Sequence, residues 1–375
     1  MLKALRPIIV KEFRQIRRDP TSLGMLLVLP AALIVLVGYA LNFDVKHIPL
    51  VVFNQSPGAE SREYLQKFQH SEYFDYAFDV HSYADVEELF LNGRAKVALV
   101  IPPTFGHDIL AGHETHVQIL VDGSDANTAG QAVGYATSMT LEFSSALILD
   151  AFRRAGKTFY LPIAFEPRIW YNPDLISSRY LVPGLIGFII MLTGVISTSM
   201  TIVREKERGT MDQIMVSPLR PAEVILGKTL PYMAIALFGA TLILILGYLL
   251  FAIDIKGSIL VLYAGIFMVL LGALGQGLLI STVTDSQQVA FMVSVFSSLL
   301  PSFLLSGFIF PVSSMPVVLQ VISNIAAVKF FLVIVRGVML KGVGFEAVWP
   351  QFVYLTIFAA VTLGVSVKRF QKRAN

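Results

Sequence analysis

Long apolar runs constrain the fold of this chain more than any other feature of its sequence. A helix that crosses about 30 Å of hydrocarbon needs about 20 apolar residues, and six uncharged runs reach that length. The chain is 55% hydrophobic and only 15% charged, which is less charge than soluble proteins normally carry. We therefore predict a polytopic α-helical membrane protein with six transmembrane helices. The runs are Leu23–Leu41, Leu181–Val203, Thr229–Ile253, Ser258–Val283, Val289–Phe310 and Ala347–Val367.

The spacing of these runs predicts the order of the domains. The first run stands alone, and a long, mostly polar stretch separates it from the other five. This indicates a domain inserted between helices 1 and 2. The predicted domains are an interfacial amphipathic helix at 1–20, transmembrane helix 1 at 21–41, an extracytoplasmic α/β domain at 42–180 and a five-helix region at 181–375.

Strand and helix patterns alternate within the inserted domain, which is typical of an α/β fold. Their order leaves open whether the sheet is parallel throughout. The predicted helices are Ala59–Gln69, Pro103–Ala111 and Thr128–Arg154, and the predicted strands are Ile48–Phe53, Tyr76–Val80, Lys96–Ile101, Val117–Val121 and the strand-like Arg168–Tyr171.

Basic residues flank the first and last apolar runs and predict the orientation of the chain. Lys and Arg collect on the cytoplasmic side of short membrane loops, so both termini are predicted to be cytoplasmic and the inserted domain to lie outside. The net charge of +3 is explained by this topology and gives no reason to expect nucleic acid. The flanking residues are Lys3, Arg6, Lys11, Arg14, Arg17 and Arg18, and then Lys368, Arg369, Lys372 and Arg373.

A seventh apolar patch, Met315–Val335, is interrupted by Pro316, Asn324 and Lys329. Its uncharged stretches are too short to cross the bilayer at 1.5 Å per residue. We predict a re-entrant outer segment at 311–346, before helix 6.

The N-terminal residues form an amphipathic pattern. One stripe at 100° per residue is apolar and the opposite face is basic, which predicts a helix lying at the membrane surface. The basic face either anchors the helix on anionic membrane lipids or forms part of a docking surface for a partner, and both roles are compatible. The stripe consists of Leu2, Leu5, Ile9, Phe13 and Ile16, and the basic face includes Lys11, Arg14, Arg17 and Arg18.

A dense cluster of mixed charges follows directly on the second apolar run. Such a cluster cannot enter hydrocarbon and marks a water-facing surface on which a soluble partner could act. An ordinary solvated topology loop is the alternative, but it does not require the alternation of signs. The candidate coupling residues are Arg204, Glu205, Lys206, Glu207, Arg208, Gly209, Thr210 and Asp212.

These residues also carry a resemblance to a known family, the ABC-2 type transporter permeases, and in particular to the bacterial drug-exporter branch with a large periplasmic domain. The signature-like loop runs from Val203 to Gln213 and continues through Ser217-Pro218-Leu219 to Gly227-Lys228. Outer elements and the inserted domain contain further similar segments: Leu305 to Pro311, Met315-Pro316, Arg336 to Gly342, Gly93, Val100-Ile101-Pro102, Phe105, Asp122-Gly123-Ser124 and Asn127-Thr128-Ala129.

The resemblance implies a non-catalytic permease subunit of an ABC exporter in the bacterial inner membrane. It implies a second permease copy or paralogue, two ABC ATPase subunits that bind ATP and magnesium, a coupling loop at 204–228, and a periplasmic membrane fusion protein with an outer-membrane channel. The implied cargo is amphipathic compounds or drugs. Lipid, polysaccharide or sodium export remains open, as does a membrane sensor or scaffold with a ligand-binding outer domain.

No cofactor, metal or catalytic site is predicted on this chain itself. Gly227-Lys228-Thr229 ends like a phosphate-binding loop, but Ala222 stands where that motif needs its first glycine. Lys228 is expected to extend to the membrane surface instead. There are no cysteines, and the six histidines all lie in the inserted domain, where His113, Glu114 and His116 form the only tight group.

Two sets of residues are candidates for a transport pathway. Thr193, Ser197 and Thr201 share one face of the second span, and Phe296 and Leu300 share one face of the fifth. By family architecture these faces line a pathway at a dimer centre, but helix packing explains them equally well. Phe308, Phe310 and Pro311 form either an apolar outer gate or part of the interfacial aromatic belt.

Overall fold

The protein is described by a computed structural model that covers residues 2–40, 45–154, 170–173, 176–210 and 221–374. The chain divides into two compact units. The first joins Met1–Asn42 to Arg168–Asn375, and the second is Phe43–Pro167.

The first unit is helical. It begins with the amphipathic helix α1 and continues into an apolar bundle whose core is built from branched and aromatic side chains. Its helices are α1 (Leu2–Arg18), α2 (Pro20–Leu23), α3 (Leu29–Ala40), α8 (Ser177–Glu207), α9 (Pro221–Phe251), α10 (Ile259–Val283), α11 (Gln287–Leu300), α12 (Val317–Ile322), α13 (Ala327–Arg336) and α14 (Phe345–Ala374).

Five of the described helices are long and apolar enough to cross a membrane, and a sixth is counted if one bent pair is a span. The protein is therefore a multi-pass membrane protein. The prediction of six spans included Leu23–Leu41, which is not among these five long helices. Its backbone contains a π-helical turn at Gly24–Val28, and its apolar helix, Leu26–Ala40, is shorter than a full span. The five long helices are Ser177–Glu207, Leu226–Phe251, Ile259–Val283, Gln287–Leu305 and Phe345–Arg369.

The fifth predicted span is shorter than the sequence indicated. It ends at Leu305 and not at Phe310, because α11 gives way to a π-helical turn at Pro301–Leu305 and residues 306–310 are bent. Pro301 lacks the N–H that a regular helix would use at this position. Residues 306–310 therefore lead out of the helix and toward α12.

The interrupted segment after α11 is a bent pair of helices. Val317–Ile325 and Ala327–Lys341 meet at 87°. The helix is therefore broken within the apolar patch that Pro316, Asn324 and Lys329 interrupt. The described side chains of α12 are not buried, whereas most of those of α13 are. The position of this pair on the outer side of the membrane stays a prediction.

Helix α8 lies at the centre of the bundle. Its apolar segment is 94% buried, and it contacts α3, α9, α10, α11 and α13. Glycine on a neighbouring helix permits this close packing: a Cβ atom at Gly277 of α10 would lie 2.6 Å from the carbonyl oxygen of Val195 in α8. Small residues let helices approach in this way.

Replacement of Gly277 by Ala is therefore expected to lower the free energy of unfolding by about 1–3 kcal/mol, because the added methyl meets backbone that cannot rotate away. Equilibrium unfolding in mixed micelles measures the change. Gly364→Ala on α14 is the matched control, because nothing lies within 4 Å of a Cβ atom there. If Gly277→Ala behaves like Gly364→Ala, the packing argument is wrong.

The second unit is a four-stranded sheet covered by helices. The strand order is β2-β1-β3-β4; β1 pairs in parallel with β2 and β3, and β4 is antiparallel to β3. The sheet is mixed, which the order of elements had left open. The elements are β1 (Ile48–Asn54), α4 (Ala59–Gln69), β2 (Phe74–Asp79), α5 (Tyr83–Leu91), β3 (Val97–Ile101), α6 (Phe105–Ala111), β4 (Gln118–Val121) and α7 (Ala126–Arg154).

One detail of this unit, and one of the segment Arg168–Tyr171 that belongs to the first unit, differ from the prediction. Helix α5 was not predicted; it begins at Ser82, whose hydroxyl accepts a hydrogen bond from the Asp85 backbone N–H. The strand-like segment Arg168–Tyr171 is not a strand where it is described, because Trp170 and Tyr171 lie in irregular backbone and Tyr171 has a positive φ of 70°. Arg168 and Ile169 lie outside the described residues.

Candidate coupling site

The buried face of α1 differs from the apolar stripe in the sequence. Ile16 is buried, but Phe13 on the same stripe is 43% exposed. Glu12, the neighbour of Phe13, is fully buried instead. Ile8 lies close to Gly227 of α9, because a Cβ atom added at Gly227 would be 2.7 Å from the Cγ2 atom of Ile8. Helix α1 therefore packs against α9 through a face rotated toward Glu12.

Glu12 belongs to a cluster of four charged side chains that joins three helices. Lys11 Nζ lies 3.1 Å from a carboxylate oxygen of Glu205 and 3.2 Å from Glu12 Oε1. Lys228 Nζ lies 3.5 Å from Glu12 Oε1 and also contacts Glu205. Two acids and two bases thus neutralise each other at the junction of α1, α8 and α9. We call Lys11, Glu12, Glu205 and Lys228 the ion cluster.

The ion cluster corrects two expectations from the sequence. Glu205 and Lys228 are each only 4% exposed, so Glu205 is not on a solvated surface and Lys228 does not extend to one. Burial acts to lower the pKa of Lys11, but the carboxylates of Glu12 and Glu205 outweigh it and hold this pKa above its usual value. Lys11 therefore stays charged, and removal of Glu205 would leave the buried Lys228 with Glu12 as its remaining acidic partner in the cluster.

The neighbouring charges at the end of α8 are also paired within the chain. Arg204 contacts Asp19 and donates from Nε to Gln287 at 3.3 Å. Lys206 donates to the carbonyl oxygen of Thr284 at 3.0 Å. These bonds tie α8 to the α1–α2 junction and to the turn between α10 and α11.

Glu207 completes these contacts, because its Oε1 accepts a hydrogen bond of 2.6 Å from the backbone N–H of Gln287. Helix α8 ends at Glu207, and two residues later Gly209 has a φ of +66°, which is readily adopted only by glycine. Thr210 donates to the Glu205 carbonyl oxygen at 3.3 Å. Asp212 and the rest of the predicted coupling loop up to residue 220 lie outside the described residues.

A basic cleft opens beside the ion cluster. It has a volume of about 740 Å³, and among the described residues that line it five are basic and one, Asp19, is acidic. Arg14, Arg18 and Arg208 are exposed, and within the described part of the chain no acidic side chain pairs with them. Arg17 is exposed on α1 but does not line the cleft. The lining residues are Lys11, Arg14, Gln15, Arg18, Asp19, Pro20, Arg204, Arg208 and Gln287.

The predicted pathway residues fall in two places. Thr193, Ser197 and Thr201 share a narrow crevice with Leu26 and Tyr232, between the N-terminal apolar helix, α8 and α9. The three hydroxyls all donate to carbonyl oxygens of their own helix. Phe296 and Leu300 of α11 do not line this crevice, and they are 58% and 46% exposed. A single chain therefore does not bring the two sets together.

The predicted gate residues also differ in how much of each side chain is exposed. Phe308 is fully buried, and its ring packs edge-on against Phe303 with centroids 5.2 Å apart. Phe310 is 64% exposed, and Pro311 is exposed as well. Phe308 thus belongs to the packed core of one chain, and its role as a gate stays a prediction.

Comparison with known proteins assigns the family. A model of the ABC-2 family of transporter proteins matches residues 20–368. The chain belongs to the ABC-2 transporter family. The resemblance to ABC-2 type transporter permeases is thereby confirmed.

Several bacterial relatives of this ABC-2 permease are described as permeases. The probable multidrug ABC transporter permease YbhS of Escherichia coli K12 is 28% identical over 374 residues, which cover 100% of this chain and 98% of YbhS. YbhR, also named a probable multidrug ABC transporter permease, is 28% identical over 373 residues and 100% of both chains. The inner membrane transport permease YhhJ is 28% identical over 75% of this chain and 74% of its own length.

Arg336 of the ABC-2 permease forms several polar contacts, whereas in the sequence it stood out only as the first residue of a family-like segment. Its guanidinium donates to the carbonyl oxygens of Gly307 and Phe308, both at 3.0 Å, and to the Tyr180 hydroxyl at 3.0 Å. The same group stacks on the Tyr180 ring, 3.7 Å from its centroid. The signal for these contacts in the sequence is an arginine at the end of an apolar helix, because a charge in such a helix needs several polar partners.

Replacement of Arg336 by Leu is expected to lower the free energy of unfolding by about 2–4 kcal/mol, because the carbonyl groups of Gly307 and Phe308 lose their donors. The free energy of unfolding of Arg336→Lys should lie between those of wild type and Arg336→Leu, since an ammonium keeps the charge but not the fork of donors. Unfolding in mixed micelles measures both. A loss below about 0.5 kcal/mol for Arg336→Leu would show that water or lipid replaces these bonds.

Proposed function

We propose that this chain is the permease subunit of an ABC exporter, which moves amphipathic compounds out of the cytoplasm or the inner membrane with ATP hydrolysed by a separate subunit. The observation that carries the proposal is the ion cluster beneath the basic cleft. It fastens α1, α8 and α9 to one another at the surface where a soluble partner has access, and α8 continues from there into the centre of the bundle.

The basic cleft is the contact surface for the ATPase in this proposal. Arg14, Arg18 and Arg208 have no acidic partners in the described chain and are free to pair with carboxylates of another protein. Complementary charges of this kind give a complex its specificity and its association rate. The ion cluster is already neutral and serves to transmit a displacement, not to bind.

Transport then follows from movement of the joined helix ends. When the ATPase subunits close on ATP, they displace the cleft, and α1, α8 and α9 move together because the ion cluster resists their separation. Since α8 contacts five other helices of the bundle, its movement changes their packing and opens a cavity to the outer side. This is alternating access driven from the cytoplasmic surface.

Two chains are needed for this cycle, as the family predicts. Phe296 and Leu300 lie exposed on α11, where a residue at a boundary between two permease copies has to be. A periplasmic fusion protein and an outer-membrane channel would receive the cargo, and both termini would be cytoplasmic.

Purification of the tagged chain in mild detergent, followed by mass spectrometry, tests the partnership, and the recovered complex in proteoliposomes tests the activity. We expect an ABC ATPase to accompany the chain, and a fluorescent amphipathic dye to accumulate in the vesicles with ATP but not with ADP. A chain recovered without an ATP-binding subunit, or dye accumulation that is equal with ADP, would contradict the proposal.

A further inference from the structure

The α/β unit contains a cleft that the proposed mechanism does not use. It lies between α6, the second half of α7 and the segment 112–117 that follows α6, and its volume is about 500 Å³. Pockets that bind small molecules have volumes of about 300–1,000 Å³. The cleft therefore has the size of a ligand site.

Aromatic rings form the floor of the cleft. Tyr64, Phe105 and Phe143 are each at most 5% exposed. The Tyr64 ring lies 5.7 Å from that of Phe105 and 5.0 Å from that of Phe143, measured between centroids. Ile109 and Leu147 extend this apolar surface toward the mouth. Such a floor favours a flat or branched apolar body.

His113, Glu114 and Ser144 line the cleft at its exposed rim, and the buried polar groups lie deeper, beside the aromatic floor. The Thr115 hydroxyl is buried and has no hydrogen-bond partner in the described part of the chain. By contrast, the Tyr64 hydroxyl lies 2.7 Å from Thr140 Oγ1, which in turn donates to the Ala136 carbonyl oxygen at 2.7 Å. Burial raises the pKa of Tyr64, so its phenol stays neutral. An ordered water or a bound molecule is the partner that a buried hydroxyl of this kind takes.

We propose that this cleft binds a small, uncharged molecule with an aromatic or branched apolar body and one acceptor group, which accepts a hydrogen bond from the Thr115 hydroxyl. This molecule has the chemistry of the amphipathic cargo, and in that respect the inference rests on the proposed function. It places a cargo-binding site in the α/β unit, outside the helical bundle.

Photolabelling of the full-length chain in lipid nanodiscs tests the site. Benzophenone is the probe, because it has two aromatic rings and one carbonyl acceptor and it crosslinks under ultraviolet light. The experiment uses no ATPase and no ATP, and mass spectrometry of peptides locates the adducts. We expect saturable labelling concentrated in residues 109–117 and 143–151.

Two neighbouring positions on α7 give a matched pair of variants. Ser144 lines the cleft, whereas Ser145 does not and its hydroxyl bonds the Leu141 carbonyl oxygen. Both are exposed, so tryptophan is tolerated at either. Ser144→Trp should fill the cleft and reduce labelling at least tenfold, and Ser145→Trp should leave it unchanged. Thr115→Val, which keeps the shape but removes the donor, should reduce labelling about fivefold below saturation.

Labelling that is absent, is spread over the exposed surface, or is equal in Ser144→Trp and wild type would overturn the site. Equal labelling of Thr115→Val would overturn the role of its hydroxyl. The proposed function can fail separately: if dye transport is not ATP-dependent but labelling remains sensitive to Ser144→Trp, the site stands and the exporter proposal falls.

Discussion

Replacement of Arg208 by Glu is expected to weaken the binding of the ATPase subunit at least about tenfold. The substitution puts a negative charge in the basic cleft, opposite the carboxylates that are proposed to contact it, and like charges at an interface are costly. Titration of the purified ATPase against the chain in nanodiscs measures the affinity. The effect should shrink as the salt concentration rises, because salt screens exposed charges.

Arg17→Glu is the matched control, since it makes the same change of charge on α1 at a residue that does not line the cleft. It should leave the affinity within about twofold of wild type. If both variants weaken binding equally, the net charge of this surface matters and the cleft does not. If neither does, the ATPase binds elsewhere.

Replacement of Glu205 by Gln is expected to lower the free energy of unfolding by about 3–5 kcal/mol. Glu205 is buried between Lys11 and Lys228, and its loss leaves two ammonium groups facing one carboxylate. Removal of one partner from a buried ion pair has this cost because the other charge cannot return to water. Equilibrium unfolding in mixed micelles measures the loss.

The double variant Glu205→Met with Lys228→Met separates charge balance from packing. It removes one charge of each sign, so it should be more stable than Glu205→Gln alone. Glu142→Gln breaks an exposed pair with Lys67 and should cost less than about 1 kcal/mol. Equal losses for Glu205→Gln and Glu142→Gln would contradict the burial of the ion cluster.

The regular parts of this fold are largely predictable from the sequence. Ala59–Gln69 was predicted with the limits that the structure has, because its helical periodicity and the glycine before it, Gly58, indicate the same helix start. Helix α5 was missed because nine residues with several polar side chains give too weak a periodicity. The mixed sheet was not predictable from local pattern, since the direction of β4 depends on its pairing with β3.

The charged side chains show where local pattern fails. The dense charges at the end of α8 indicated a water-facing surface, yet Glu205 is buried because its partners come from α1 and α9, far away in the sequence. Glu12 carried a usable signal: it is spaced three residues from Ile9 and four from Ile16, so an isolated acid lies beside the apolar stripe. Such an acid needs a buried cation.

The roles of the pathway and gate residues could not be decided from the sequence for another reason. Their side chains suit a pore and a packed core equally well, and only tertiary contacts decide. Phe308 became a core residue because Gly184 leaves room for its ring; a Cβ atom at Gly184 would lie 2.4 Å from it. Whether Phe296 and Leu300 line a pathway depends on the second permease copy.

Crosslinking from a single cysteine tests the central claim, that an ATPase acts on the basic cleft. The chain has no cysteines, and Gln15 lines the cleft without contributing charge. A photoreactive maleimide on Gln15→Cys should therefore crosslink to an ATP-binding subunit in native membranes. The same reagent on Val317→Cys, which is 73% exposed on α12 and predicted to lie on the outer side, should not. An ATPase adduct from Val317→Cys, or none from Gln15→Cys in a transport-competent complex, would contradict the account.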